Sequence, residues 1–344
     1  MSGLDDYRTA LLAAHDDVDE ATLVHKFDER GDGFASFIID HGLGPLWHVR
    51  TGREDFHDSR LRAEALFLAQ ESALREIDGA LQDADVDYAV IKGAAIRLMT
   101  YDNPAMRACH DIDVLVRPVN RVRAAAALQN LGFQAVPETR SISRELVLSR
   151  GSLDIDLHWS LLREGRLRQD FTPDMLTRRR RHGGVWMLGP EDTLFALLVH
   201  PAFAKHLDGW EMGLHRITDL LLWLRTQEFD WPMVRDMLRS NGVCAAAWAT
   251  LRWAELLAQP HVPEKLEMML SDLEPGRLRR TWLDRWLRRD LSARTSHLRW
   301  VRLLGLSLFL HDAPGDSLRA FRGRRRAQRR SAEDLAAFSG LLGE

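Results

Sequence analysis

Two aspartates one residue apart, Asp111 and Asp113, lie in the stretch His110 to Val116, HDIDVLV. Ile112, Val114 and Val116 alternate with Asp111, Asp113 and Leu115, the period of a β-strand. Side chains switch faces at each residue of a strand, so both carboxylates project to one side. Such close carboxylates repel, and a cation relieves them. Mg²⁺ suits the pair, because it takes one or two carboxylates and fills its shell with water and substrate phosphates. An isolated Asp-x-Asp on an edge strand would carry no chemistry, so the neighbouring segments decide.

Upstream, Tyr88 to Ile91 reads as a short apolar strand, Gly93 as its stop, and Ala94 to Met99 as a helix. A strand–glycine–helix turn offers free backbone N–H groups to an anion. Lys92 beside the glycine, and Arg107 in the polar loop 101–110, are candidate phosphate contacts, one a point charge and the other a planar fork. Downstream, Ser152 to Trp159 reads SLDIDLHW. Asp154, Asp156 and His158 share one face there, and Leu153, Ile155 and Leu157 the other. Gly151-Ser152 suits a type II′ hairpin turn between this strand and RELVLSR. Three aspartates on two neighbouring strands beside a glycine turn is a layout for two-metal phosphoryl or nucleotidyl transfer. Alternation alone leaves Asp154 and Asp156 equivalent.

The segment KGAAIRLMTYDNPAMRACHDIDVLV, with LDIDLHW after it, resembles the uncharacterised nucleotidyltransferases of the DNA polymerase β-like superfamily. The resemblance spans roughly residues 80 to 225. It implies Asp111 and Asp113 as metal ligands, Asp156 as the third catalytic carboxylate and ligand, and Gly93 as the nucleotide-loop glycine. It implies an NTP donor, Mg²⁺ with Mn²⁺ as a substitute, and release of pyrophosphate. Two features depart from the superfamily pattern. Ala94 stands where a Ser or Gly usually helps hold the triphosphate, and the gap from Gly93 to Asp111 is long.

The elements around these residues set the expected fold. Residues 1–80 read as helical, and a helix over about Ser59 to Leu81 places Leu61, Ala65, Leu66 and Leu68 on one apolar side, with Ala73, Leu74 and Ile77 continuing it. His41, His48 and His57 are too scattered for a metal site, and surface or capping roles are expected. Residues 81–189 form the candidate core, and residues 190–344 return to helix. The expectation is an α+β protein, a small mixed β-sheet nucleotidyltransferase core flanked by N- and C-terminal helical regions.

Composition narrows the class. The 344 residues allow two or three domains and a sizeable core. A net charge of −3 gives no overall pull toward nucleic acid or membrane. Only four of the 47 basic residues are lysines, a coding habit that removes arginine richness as a signal. Cys109 and Cys244 match no metal spacing and read as free thiols of a reducing cytoplasm. The N-terminus lacks a signal-peptide pattern, and no stretch approaches the ~20 apolar residues of a membrane span. The acceptor could be a small molecule, a peptide or protein, or RNA. Nucleic acid has only the arginine cluster near residues 319–330 in its favour. The competing readings are a catalytically silent module on the same fold, and toxin-like nucleotidylation of tRNA or protein.

Overall fold

The computed structural model describes residues 3–136, 145–205, 207, 213–288, 306, 308–323, 326 and 338. Most of the arginine cluster near the end lies outside them. The chain divides into two compact units, each assembled from separate segments. One comprises Met1–Glu64, Thr100–Ala108 and Leu197–Pro314, and the other Ala65–Met99, Cys109–Ala196 and Gly315–Glu344.

The first unit is helical. It opens with α1 (Gly3–Leu11), α2 (Glu20–Asp28), α3 (Phe34–Asp40) and α4 (Gly44–Thr51). Asp19 caps α2 by accepting from the Thr22 amide, which satisfies an otherwise orphaned N–H. Trp47 is fully buried and donates its indole N–H to the Ala10 carbonyl at 2.8 Å, joining α4 to α1. His41 is buried rather than superficial, with its ring edge-on to Tyr7 and Phe37. Burial lowers its pKa to about 4. Later helices, Trp231–Asn241 and Cys244–Ala258 among them, complete this unit.

The second unit carries a seven-stranded mixed sheet of order β3-β4-β5-β2-β1-β7-β6. The strands are β1 (Tyr88–Ile91), β2 (Asp111–Val116), β3 (Gln134–Ala135), β4 (Glu145–Arg150), β5 (Leu153–His158), β6 (Arg180–His182) and β7 (Val185–Met187). β4 and β5 form the expected hairpin. Gly151 has φ +61° while Ser152 does not enter the left-handed region, as a type II′ turn requires. The α+β class with helical flanks is what the chain adopts.

Alternation gives this sheet two unlike faces. Val90, Ile112, Val114, Val116, Leu146, Leu148, Ile155 and Leu157 pack in one core with Ala73, Leu74, Ile77 and Leu81 of α5 (His57–Asp83) and Ala124, Ala125 and Leu128 of α7 (Arg121–Asn130). Full burial of each large aliphatic side chain contributes about 1.5–3 kcal/mol, so this face fixes the register of the strands. Part of the stripe expected on α5 is exposed, at Leu61 and Leu68, while Ala63, Ala73, Leu74 and Ile77 are buried. The opposite face of the sheet carries the charges.

Candidate active site

β2 and β5 run parallel with Asp111 opposite Asp154 and Asp113 opposite Asp156. Both apolar sets face the core, so all four aspartates face the other way. β4 adds Glu145 opposite His158 on that same face. β1 lies on the other side of β2, with Ile91 opposite Asp113. The chain then turns directly into α6 (Lys92–Thr100). Lys92 takes φ +53°, a conformation that costs a non-glycine residue free energy and must be held by its surroundings.

That turn brings the Lys92 ammonium to the aspartates. Lys92 Nζ lies 2.5 Å from Asp113 Oδ1 and 3.0 Å from His158 Nε2. His158 Nε2 is 2.7 Å from the same Asp113 oxygen, and its Nδ1 is 3.4 Å from Glu145. Asp113 and His158 are almost inaccessible to solvent, at 3% and 4% exposure. Asp113, Asp156 and His158 each offer a ligand atom, and these atoms all lie within 4.8 Å of one another.

The charges in this cluster do not balance. Burial disfavours ionisation of Asp113, but the adjacent Lys92 ammonium and His158 outweigh it and hold the carboxyl far below the usual range. Burial likewise opposes the charge on Lys92, and Asp113 overrides it, raising the ammonium pKa. Asp156 has no salt bridge among the described residues, and the pull of His158 on it is outweighed. Its burial, and then the charge of Asp113, push its pKa up to about 6, with Asp111 and Glu145 adding to the repulsion. A site with two close carboxylates, an imidazole and excess negative charge fits a divalent cation, whose charge would remove the strain on Asp156. Lys92 already shows that a positive charge is favoured at this place.

A profile of uncharacterised nucleotidyltransferases matches residues 48–259, well over half of the chain. The chain belongs to this family. The match begins before the sheet and runs to the end of the helix Cys244–Ala258, so it reaches further in both directions than the segment that carries the resemblance in sequence. No curated protein matches the chain. The chemistry of this nucleotidyltransferase family is nucleotidyl transfer, which takes an NTP donor and an acceptor and generally uses divalent metals.

Within the family member's site, the two aspartates that alternation left equivalent differ. Asp156 joins the cluster, whereas Asp154 is exposed and accepts from Ser149 Oγ at 2.5 Å. Asp111 is half-buried, one step along β2 from Asp113, and outside the three-residue cluster. Gly93 and Ala94 sit buried in the first turn of α6, and the residue with positive φ there is Lys92 rather than Gly93. Arg107 is in the other unit. Its guanidinium binds Asp219 through Nη2 at 2.8 Å and Nε at 3.2 Å, and both residues are buried.

Sequence reasoning left the role of His158 open and offered Lys92 only as a phosphate contact. His158 shares the face of Asp156 by simple parity, which was the available signal for its place beside the carboxylates. Lys92 as the counter-ion of Asp113 had no such signal, because strand periodicity gives no warning of a non-glycine residue in the left-handed region.

Proposed function

We propose that this protein transfers a nucleoside monophosphate from an NTP to an acceptor hydroxyl and releases pyrophosphate. The observation that carries the reading is the pairing of Asp113 with Asp156 across two parallel strands, with His158 offsetting the charge on Asp156 only in part. Asp111, Asp113 and Asp156 would hold Mg²⁺, with Mn²⁺ as a substitute, and the imidazole of His158 borders the same place. The bound cation supplies neutralisation of the triphosphate and of the charge that develops as the phosphoryl group moves.

The chain's own groups do the rest. Lys92, relieved of Asp113 when that carboxylate has another cation, turns its ammonium to the donor phosphates. Gly93 and Ala94 present the first-turn N–H groups of α6 to the same phosphates. Asp156 orients the acceptor hydroxyl and takes its proton, which then passes to solvent. The acceptor oxygen bonds to the α-phosphorus as the bond to the pyrophosphate oxygen breaks. Arg107, held by Asp219, braces its own unit. No described helix is long and apolar enough to cross a membrane.

Incubation of the protein with each labelled NTP, Mg²⁺ and an extract acceptor pool tests the reading, beside the variant Asp111→Asn/Asp113→Asn. The expected result is metal-dependent pyrophosphate release that the variant loses. Equal release by both proteins would sink the assignment. The ammonium of Lys92 already seated against Asp113 favours one other reading, a catalytically silent module. That module would bind nucleotide without releasing pyrophosphate.

A further inference from the structure

Beyond the end of β5 the chain leaves the sheet at Ser160 and reaches α8 (Thr172–Thr177) without regular structure between. This segment and helical residues 315–323 enclose a cavity of about 230 Å³. The two walls meet at glycines. A Cβ on Gly165 would lie 2.7 Å from the Arg319 carbonyl oxygen, and one on Gly323 would collide with the Glu164 carbonyl. Backbone therefore rests directly on backbone. Arg168 clamps the same contact with a two-pronged grip on Asp316, at 3.0 and 2.6 Å.

The cavity lining is basic, with Arg163, Arg168, Arg319 and Arg326 against Glu164 and Asp170. Arg319 gives Nη1 to Asp316 at 2.6 Å, but its Nε and Nη2 are buried with no hydrogen-bond partner among the described residues. Thr172, 1% exposed, lines the same cavity, and its hydroxyl also lacks a partner there. Buried donors left unpaired are costly and call for an explanation. An anion with several acceptor oxygens would satisfy the hydroxyl and both guanidinium nitrogens, and a guanidinium fork matches phosphate or carboxylate.

Strand register puts the backbone of Lys92 and this cavity toward opposite ends of β2, although the Lys92 ammonium itself reaches to 3.0 Å from His158 Nε2. Ile91 is level with Asp113, so the chain enters α6 toward the Asp111 end of β2. His158 is level with Leu115, toward the other end, and Ser160 of the cavity follows it by two residues, at most ~7 Å along the chain. A displacement at phosphorus needs donor and acceptor on opposite sides of the reacting centre.

We propose that this cavity anchors the acceptor by an anionic group, a phosphate or a carboxylate, so that the acceptor is a small anionic hydroxyl compound. The proposal rests on the transferase reading above. Its anion site can be tested without nucleotide or metal. Inorganic phosphate and acetate are titrated calorimetrically, with chelator present, into the full-length protein and the variants Arg319→Gln, Thr172→Val and Asp113→Asn. Thr172→Val keeps the side-chain shape and removes an unsatisfied hydroxyl, so it should fold even if the loss of an Asp316 partner harms Arg319→Gln.

At least one of the two anions is expected to bind the parent protein, to bind Asp113→Asn no more weakly, and to bind about tenfold more weakly in the two cavity variants. Whichever anion binds identifies the acceptor's group. Failure of both anions to bind, undiminished binding by Thr172→Val, or loss in Asp113→Asn would overturn the proposal. A parallel ATP titration should be indifferent to Thr172→Val. Weakened ATP binding would assign the cavity to the donor and overturn the acceptor role. Anion binding that follows the expected pattern, without pyrophosphate release in the NTP assay, would instead locate the failure in the transferase reading.

Discussion

Asp113 in the sheet unit and Asp219 in the helical unit are both buried aspartates with a cationic partner, yet they are built to opposite ends. Asp219 receives a two-pronged grip from Arg107 and a hydrogen bond from Tyr101 Oη at 2.9 Å. Burial and the Asp219 charge raise the Tyr101 phenol pKa well above its ordinary value, so that group stays a donor. The acceptor oxygens are occupied and the charge is met: this is a closed structural joint. Asp113 has one ammonium, shared with His158, and a second carboxylate close by whose repulsion His158 offsets only in part. Equal burial therefore carries different meaning. A balanced buried pair holds a fold together, while a surplus of buried charge of one sign marks a place reserved for a ligand.

The same substitution in the two places separates these roles most sharply. Asp113→Asn should lower metal-dependent pyrophosphate release about 10³-fold or more, since cation-held charge stabilisation supplies several kcal/mol. Its urea midpoint should fall less than that of Asp219→Asn, because loss of the contacts with Lys92 and His158 is offset by relief of the repulsion with Asp156. Asp219→Asn should do the reverse. It takes the counter-charge from the buried Arg107 guanidinium, a loss of about 3–5 kcal/mol in urea unfolding, with transfer per folded molecule unchanged. A large stability loss in Asp113→Asn together with none in Asp219→Asn would erase the contrast.

Acidity sharpens it further. A raised carboxyl binds its proton below a pH of about 6, and a divalent cation must displace that proton from Asp156. Mn²⁺ affinity should therefore be flat above that pH and fall about tenfold per unit below it. In Asp156→Asn the slope should vanish along with most of the affinity. The slope is read from titrations of Mn²⁺ by electron paramagnetic resonance across the range. The smallest effect is expected at Lys92. Lys92→Met removes a competing cation, so Mg²⁺ binding without nucleotide should tighten by about threefold to tenfold while NTP binding weakens. Calorimetric titration of each ligand in turn checks both signs, and a variant that weakens Mg²⁺ would show that Lys92 organises the site instead of competing for it.

Much of the sheet was legible because period-two alternation is a local property. β1, β2 and the β4–β5 hairpin follow from it, and so does the segregation of Ile112, Val114 and Ile155 from Asp111, Asp113 and Asp156. Pairing between distant strands is not local. The parallel contact of β2 with β5 joins segments about forty residues apart, and only it separates Asp156 from Asp154. The same limit hid the joint between Arg107 and Asp219, which lie 112 residues apart. Arg107 in sequence looks like any loop arginine beside a phosphate turn. The glycine expected to shape that turn is there, but the strained position is Lys92, because the site's electrostatics hold it. On α5 the apolar residues Leu61 and Leu68 suggested a longer buried stripe than the core takes up, since packing partners for a helix face are set by tertiary contact and not by the helix itself.

The central claim, that the Asp113 cluster is a cation site and the Asp219 joint is not, is tested most directly by Mg²⁺ calorimetry on the parent protein, Asp113→Asn and Asp219→Asn, each shown to be folded. The account predicts saturable binding in the parent and in Asp219→Asn, and none in Asp113→Asn. Binding that survives Asp113→Asn, or no binding by the parent protein at any accessible Mg²⁺ concentration with or without NTP, would contradict it.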